Sequence, residues 1–250
     1  MLTKPVLIIG DSCKDAFIYC KCDRLCPEAP VPVLDIIEKR HNGGMAMNVF
    51  KNFKKLYKNV EIVTNKNWSR ITKTRYMDIK TNHMFIRIDH CENNNFTFKN
   101  IKNKINFKNY SAVIISDYDK GFLSTEDIQY ISKNHELTFL DTKKILGEWA
   151  KNITFIKINR NEFDISFDSI KHLPNILNKI IKTLGKDGAE YKNKVYPVKE
   201  VEIKDLSGAG DTFIASLVYG YLTTRDIEKS IELANNHATI VVQKRGVTTI

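Results

Sequence analysis

The apolar residues of this chain gather in short unbroken runs, and run after run stops at a small polar residue. Val6 to Ile9 leads to Gly10 and Asp11, Ala112 to Ile115 to Asp117, Thr138 to Leu140 to Asp141, Phe155 to Ile158 to Asn159, and Ile180-Ile181 to Thr183. Runs rich in Val and Ile suit strands buried on both faces, and the stretches between them have helix-like spacing. The pattern predicts an α/β fold built on a mostly parallel sheet. In open sheets of this kind ligands bind beyond the carboxyl ends of the strands, so the recurring Asp, Asn and Thr predict one shared crevice. Each of these residues would also serve as a plain turn or cap.

Two segments break the rhythm. Residues 31–37 and 71–89 alternate, with Lys73, Arg75, Asp78, Lys80 and Arg87 interleaved among apolar positions, as expected for strands with one wet face. They predict a small accessory sheet, drawn from about 16–40 and 71–90, that projects from the core and closes over the crevice to exclude water. At 250 residues and 42% hydrophobic the chain is expected to form a single domain, 1–250, around one core.

The remaining composition mostly excludes. No apolar run is long enough to cross a membrane, and the segment before Val6 has no cleavage-site pattern, so no membrane association is expected. Cys13, Cys20, Cys22 and Cys26 crowd one stretch with Cys91 far away, a spacing unlike the paired knuckles of structural zinc; reduced thiols in a cytoplasmic protein are expected. The net charge of +10 would suit nucleic acid, yet the lysines are dispersed. Lys51, Lys54, Lys55 and Lys58 share a stretch with Phe50, Phe53, Leu56 and Tyr57, the pattern of an amphipathic helix with a solvated basic face, and Asn93 to Asn95 reads as a polar loop. No nucleic-acid partner is expected; a positive field equally attracts a nucleotide or a sugar phosphate.

The strongest chemical signal is Asp205-Leu-Ser-Gly-Ala-Gly-Asp211, which runs directly into an apolar helical stretch. Gly208 and Gly210 let the backbone turn tightly and approach an anion, and the first helical turn offers unpaired N–H groups at the positive end of the helix dipole. A carboxylate beside an anion hole would repel phosphate. Asp211 is therefore expected to accept a proton from a hydroxyl that attacks a phosphoryl group, although a glycine turn with a helix-stabilising Asp has the same sequence.

Read together, Gly10-Asp11 with Asp15, Gly43-Gly44-Met-Ala-Met-Asn48, Asn159-Arg-Asn-Glu162, Thr183-Leu-Gly-Lys-Asp-Gly188 and Asp205 to Asp211 resemble, in this order, the motifs of the ribokinase-like (PfkB) carbohydrate kinases. The resemblance spans nearly the whole chain and implies a three-layer α/β/α fold with a small β-sheet lid. It implies a phosphotransferase that uses ATP and Mg2+ to phosphorylate a sugar hydroxyl. Within that family Cys26-Pro-Glu-Ala-Pro-Val-Pro32, Ile86-Arg-Ile-Asp89 and Ser116-Asp-Tyr-Asp-Lys-Gly121 resemble the kinases of heptose 7-phosphate, which make the 1,7-bisphosphate.

Carried over residue by residue, the resemblance makes Asp211 the base and Ser207, Gly208, Ala209 and Gly210 the anion hole. Asp11, Asp15, Gly43, Gly44 and Asn48 would bind the sugar, with Lys120 near its phosphate. Asn159, Thr183, Gly185, Gly188, Asn235 and Lys143 would hold the nucleotide. Glu162 would meet magnesium through water, and Asp205 would lie beside a monovalent cation, implying potassium. Asn159 and Glu162 also form a capping box in all but the first residue, a role that coexists with the other. A homodimer through the lid is a further implication. Two features depart from the relatives, the connection between Val60-Glu-Ile-Val63 and Ile71, which lacks most of a βα unit, and Thr142, which stands where the heptose kinases have Pro; no nucleotidyltransferase domain is expected.

Overall fold

The computed structural model describes residues 3–91 and 96–250; the Asn93 to Asn95 triplet lies outside the described residues. The first apolar run forms β1 (Val6–Gly10), whose neighbours on either side are β4 (Val60–Thr64) and β7 (Ala112–Asp117), both parallel to it. The other runs add β8 (Thr138–Thr142), β9 (Phe155–Asn159) and β10 (Ile180–Thr183), again in parallel. A short antiparallel hairpin, β11 (Ala189–Tyr191) and β12 (Lys194–Tyr196), which the apolar runs did not signal, completes one edge. The sheet runs β12-β11-β10-β9-β8-β7-β1-β4.

Because strand side chains alternate, β1 feeds two separate cores. Val6 and Ile8 pack with Phe53 of α1 (Gly44–Leu56), Leu217 of α5 (Ala209–Thr224) and Ile231 of α6 (Ile227–Val242). Leu7 and Ile9 face the opposite layer, with Ile128 of α2 (Thr125–Asn134), Ile170 of α3 (Arg160–Ile170) and Ile176 of α4 (Pro174–Leu177). All four β1 side chains are fully buried, which explains why the run is continuous rather than alternating. The lysines of α1 lie on its exposed face and Phe53 on its buried one.

A second sheet has the order β3-β2-β5-β6, from β3 (Pro32–Asn42), β2 (Lys14–Leu25), β5 (Thr72–Asp78) and β6 (Met84–His90). Only residues 65–71 separate β4 from β5. Its register places Asp15, Lys73 and Asp89 in one row across the sheet and Phe17, Arg75 and Arg87 in the next. Ile18, Tyr76 and Ile86 form a row on the other face, where Ile86 and Ile88 are about half exposed. The charged face is thus the one turned inward with buried Phe17, and Arg75 is itself buried, a reversal of the wet face that alternation suggested.

Candidate active site

The Asp205 to Asp211 turn sits where α5 begins. Gly208 has φ +84°, and a Cβ there would fall 2.7 Å from the Asn48 amide nitrogen; a Cβ on Gly210 would fall 3.0 Å from Lys157 Nζ. The glycines therefore let the turn close down on an amide and an ammonium. The amides of Gly210 and Asp211 lie in the first helical turn, where the helix supplies no acceptor. Lys157 is nearly buried beneath this turn and donates to Asp141 Oδ2 at 2.8 Å. Burial works against its ammonium, but the Asp141 carboxylate outweighs that and holds Lys157 above its usual range.

Asp211 projects from the first turn of α5 into the protein and is 5% exposed, so solvent does little for its charge. Asn48 Nδ2 donates to Oδ2 at 2.8 Å and the Tyr118 hydroxyl to Oδ1 at 2.7 Å. Asn48 is held in turn by Asn52, whose amide donates to the Asn48 carbonyl at 3.0 Å and whose oxygen accepts from Thr212 at 3.1 Å. Burial pushes Asp211 up to about 6, against the pull of Tyr118 and Asn48, with Asp141 adding to the rise and Lys157 opposing it. A carboxylate in that range is ionised at neutral pH and still basic enough to take a proton.

Two cavities flank the Asp205 to Asp211 turn, and Asp211 itself lines only the smaller. The larger, about 490 Å3, is lined by Thr183, Gly185 and Gly188 on one side, by Ala209, Gly210 and Phe213 of α5, and by Asn235 of α6, a size suited to a nucleotide. The smaller, about 80 Å3, is lined by Asp15, Gly44, Asn48, Ser207, Gly208 and Asp211, together with Cys13, Lys73, Arg75 and Tyr118. That is room for only about two or three waters. Asp15 is ion-paired to Arg75 within it, and burial raises the Asp15 carboxyl despite the guanidinium. Met45, also lining it, has φ +43° and ψ −128°, a strained backbone at the start of α1.

The structure separates the remaining site expectations. Asp11 is fully buried and accepts the amides of Tyr118, Lys120 and Phe122, so its carboxylate anchors the loop after β7 and does not line the smaller cavity. Burial and the nearby Asp117 raise it to about 6. Gly43 precedes α1 and, like the Lys120 side chain, is outside both cavity linings. Asn159 and Glu162 form the reciprocal capping box of α3, with 2.8 Å bonds in each direction. The second Glu162 oxygen is paired with Lys143, whose ammonium also lies 5.4 Å from the Tyr118 ring centroid. Asp205 accepts the amides of Ser207 at 2.8 Å and Gly246 at 3.1 Å, tying this loop to the C-terminal segment. Asn235 lines the larger cavity but donates its amide to Tyr196 at 2.7 Å. Among the described residues no three His, Cys, Asp or Glu side chains converge as direct metal ligands. Both Glu162 oxygens are engaged within the protein, one by the Asn159 amide and one by Lys143.

Lys157, Tyr118, Lys73 and Arg75 were not singled out from sequence as site residues. Lys157 was detectable as the lone charge in an otherwise apolar strand, and Lys73 with Arg75 as two cations on one strand face.

A mostly parallel sheet covered on both faces, a glycine turn opening a helix, and a buried carboxylate lining the smaller cavity beside that turn make up the arrangement of an α/β protein with a ligand crevice. The family model for pfkB family carbohydrate kinases matches residues 65–250. The chain belongs to this family, whose members are phosphotransferases with a sugar hydroxyl as acceptor. It is 29% identical to the bifunctional protein HldE of Helicobacter pylori strain J99 over 294 aligned positions, covering 97% of this chain and 64% of that one. The chain thus spans less than two thirds of the curated relative. Those 294 positions exceed its own 250 residues, so the relative carries segments that this chain lacks. The fold is ribokinase-like: a Thermotoga maritima ribokinase superposes with TM-score 0.72 at 16% identity, covering 98% of this chain and 95% of that one. A Methanocaldococcus jannaschii nucleoside kinase gives 0.70 at 20% identity, with 98% and 94% covered. Among the described residues no helix is long and apolar enough to cross a membrane.

The buried ion pair makes a testable demand. Lys157→Met leaves Asp141 charged and uncompensated, and chemical denaturation should show a loss of about 3–5 kcal/mol, most of it recovered when Asp141→Leu is added. A Lys157→Met protein of unchanged stability would contradict this account of the pair.

Proposed function

We propose that this protein transfers the γ-phosphoryl group of ATP to a sugar hydroxyl, the anomeric hydroxyl of a heptose 7-phosphate being the acceptor it fits best. The observation that carries the reading is Asp211, buried, raised to about 6 and lining the smaller cavity, on the same turn whose Ala209 and Gly210 line the nucleotide-sized one. The acceptor hydroxyl gives its proton to Asp211 as its oxygen bonds to the γ-phosphorus; the bond from that phosphorus to the bridging oxygen breaks and ADP leaves. The amides of Gly208 and Gly210 would hold the charge that develops on the phosphoryl oxygens, with the Lys157 ammonium nearby, whereas the Ser207 amide is taken by Asp205 and that of Ala209 by the Leu206 carbonyl. Magnesium, bound with the nucleotide, would neutralise phosphate charge, and Glu162 would meet it through water.

Charge at the smaller cavity supports a phosphorylated acceptor. Asp15 pairs with Arg75 and Asp89 with Arg87, whereas Lys73 has no carboxylate within ion-pair distance among the described residues. Burial lowers the Lys73 ammonium, with Cys13 and Asp15 opposing the fall and Arg87 and Lys120 adding to it, so an anion there would favour the charged form. The small volume of this cavity, about 80 Å3, supports a second sheet that acts as a lid and moves to admit a sugar. We further propose that a second copy covers the lid's outward face, where Ile36, Ile86 and Ile88 stand about half exposed.

An ADP-release assay across sugars and sugar phosphates should show acceptor-dependent turnover, with phosphorylated sugars preferred. Silence across the panel despite sugar binding by calorimetry would favour a trimmed, non-catalytic relative, and preference for a neutral sugar would favour another acceptor. Sedimentation equilibrium should find a dimer that Ile86→Glu with Ile88→Glu converts to monomer; a monomeric parent protein would remove the proposed interface.

A further inference from the structure

Tyr118 takes no part in the transfer just described, yet it is held from three sides. Its backbone amide donates to the buried Asp11 at 2.8 Å. Two ammonium groups lie near its ring, Lys73 at 4.9 Å and Lys143 at 5.4 Å from the centroid, one from the second sheet and one from beyond the end of β8. Its hydroxyl donates to Oδ1 of Asp211 at 2.7 Å and forms part of the acceptor cavity wall. A carboxylate held through one oxygen can still turn about its Cβ–Cγ bond. Here Asn48 holds Oδ2, and Tyr118 is what fixes the plane.

We propose that Tyr118 is a positioning residue for the base: its hydroxyl holds the plane of the Asp211 carboxylate so that an arriving acceptor meets a base already turned toward it. The proposal rests on the reading of Asp211 as that base. Each carboxylate oxygen has more than one acceptor direction, so the acceptor's proton can reach Asp211 while both donors stay in place. Tyr118 keeps its own proton throughout, because burial and the Asp211 charge hold its phenol well above the usual range. A hydrogen bond donated to the ionised carboxylate also favours that form.

Other titratable groups share this environment. Asp141 of β8, Lys157 of β9 and the Cys13 thiol lie near Asp211, while Lys73, Lys143 and Glu162 lie near Tyr118. Tyr118→Phe leaves all of them in place and keeps the ring beside its two cations, so it isolates the hydroxyl.

The test compares parent and Tyr118→Phe proteins by kcat/KM against pH and by carbon-detected NMR titration of the Asp211 carboxyl. In the parent, activity should fall as pH drops through about 6, as the base takes up a proton. In the variant the plateau rate should fall by about tenfold to a hundredfold, the size of one lost hydrogen bond to a charged group. The acidic limb and the carboxyl midpoint should both move to higher pH, with nucleotide Kd unchanged. An unmoved midpoint or an unchanged plateau rate overturns the positioning role. Failure of the underlying reading looks different: the carboxyl would titrate as described in a protein whose turnover survives removal of the Asp211 carboxylate.

Discussion

A carboxylate buried at the first turn of α5 sets the terms for the structure around it. Asp211 is almost without solvent, so its charge is tolerable only because an amide and a phenol donate to it and an ammonium lies nearby. Each of these groups needs support of its own. Asn48 is locked by Asn52 and Thr212, Tyr118 by Asp11 through the loop after β7, and Lys157 by Asp141 across two neighbouring strands. The parallel sheet delivers all of them to one edge, which is the physical content of the crevice that the strand-end residues implied.

The two halves of the site differ in state. The larger cavity, proposed for the nucleotide, has about 490 Å3 and is lined by the loop after β10 and the faces of α5 and α6. The smaller, proposed for the acceptor, is drawn in around the Arg75–Asp15 pair, leaving about 80 Å3. Part of its wall comes from the inward face of the second sheet, whose cations outnumber its carboxylates. Lys73 is the cation left over, and that surplus, rather than the shape of the cavity, is the feature that bears on the acceptor's chemistry.

The sheet strands were legible because burial on both faces leaves uninterrupted apolar runs, and the Asp205 to Asp211 turn because glycine freedom and a carboxylate at a helix start have few other uses. Asp11 misled for a definite reason. A strand-end Asp looks like a ligand, and the amides that occupy it lie 107 to 111 residues away, where local sequence carries no trace of them. Lys157 was hidden in the opposite sense, since its partner sits on a neighbouring strand. Arg75 shows the limit of alternation: period two fixes which residues share a face but not whether that face meets water or the protein.

The central claim is that Asp211 is a base rather than a helix-stabilising carboxylate, and Asp211→Asn tests it most directly because the amide keeps shape and removes basicity. In steady-state assays with the best acceptor, turnover should fall by about a hundredfold to ten-thousandfold while calorimetric nucleotide affinity stays near that of the parent. Full turnover in the Asn variant would contradict the account.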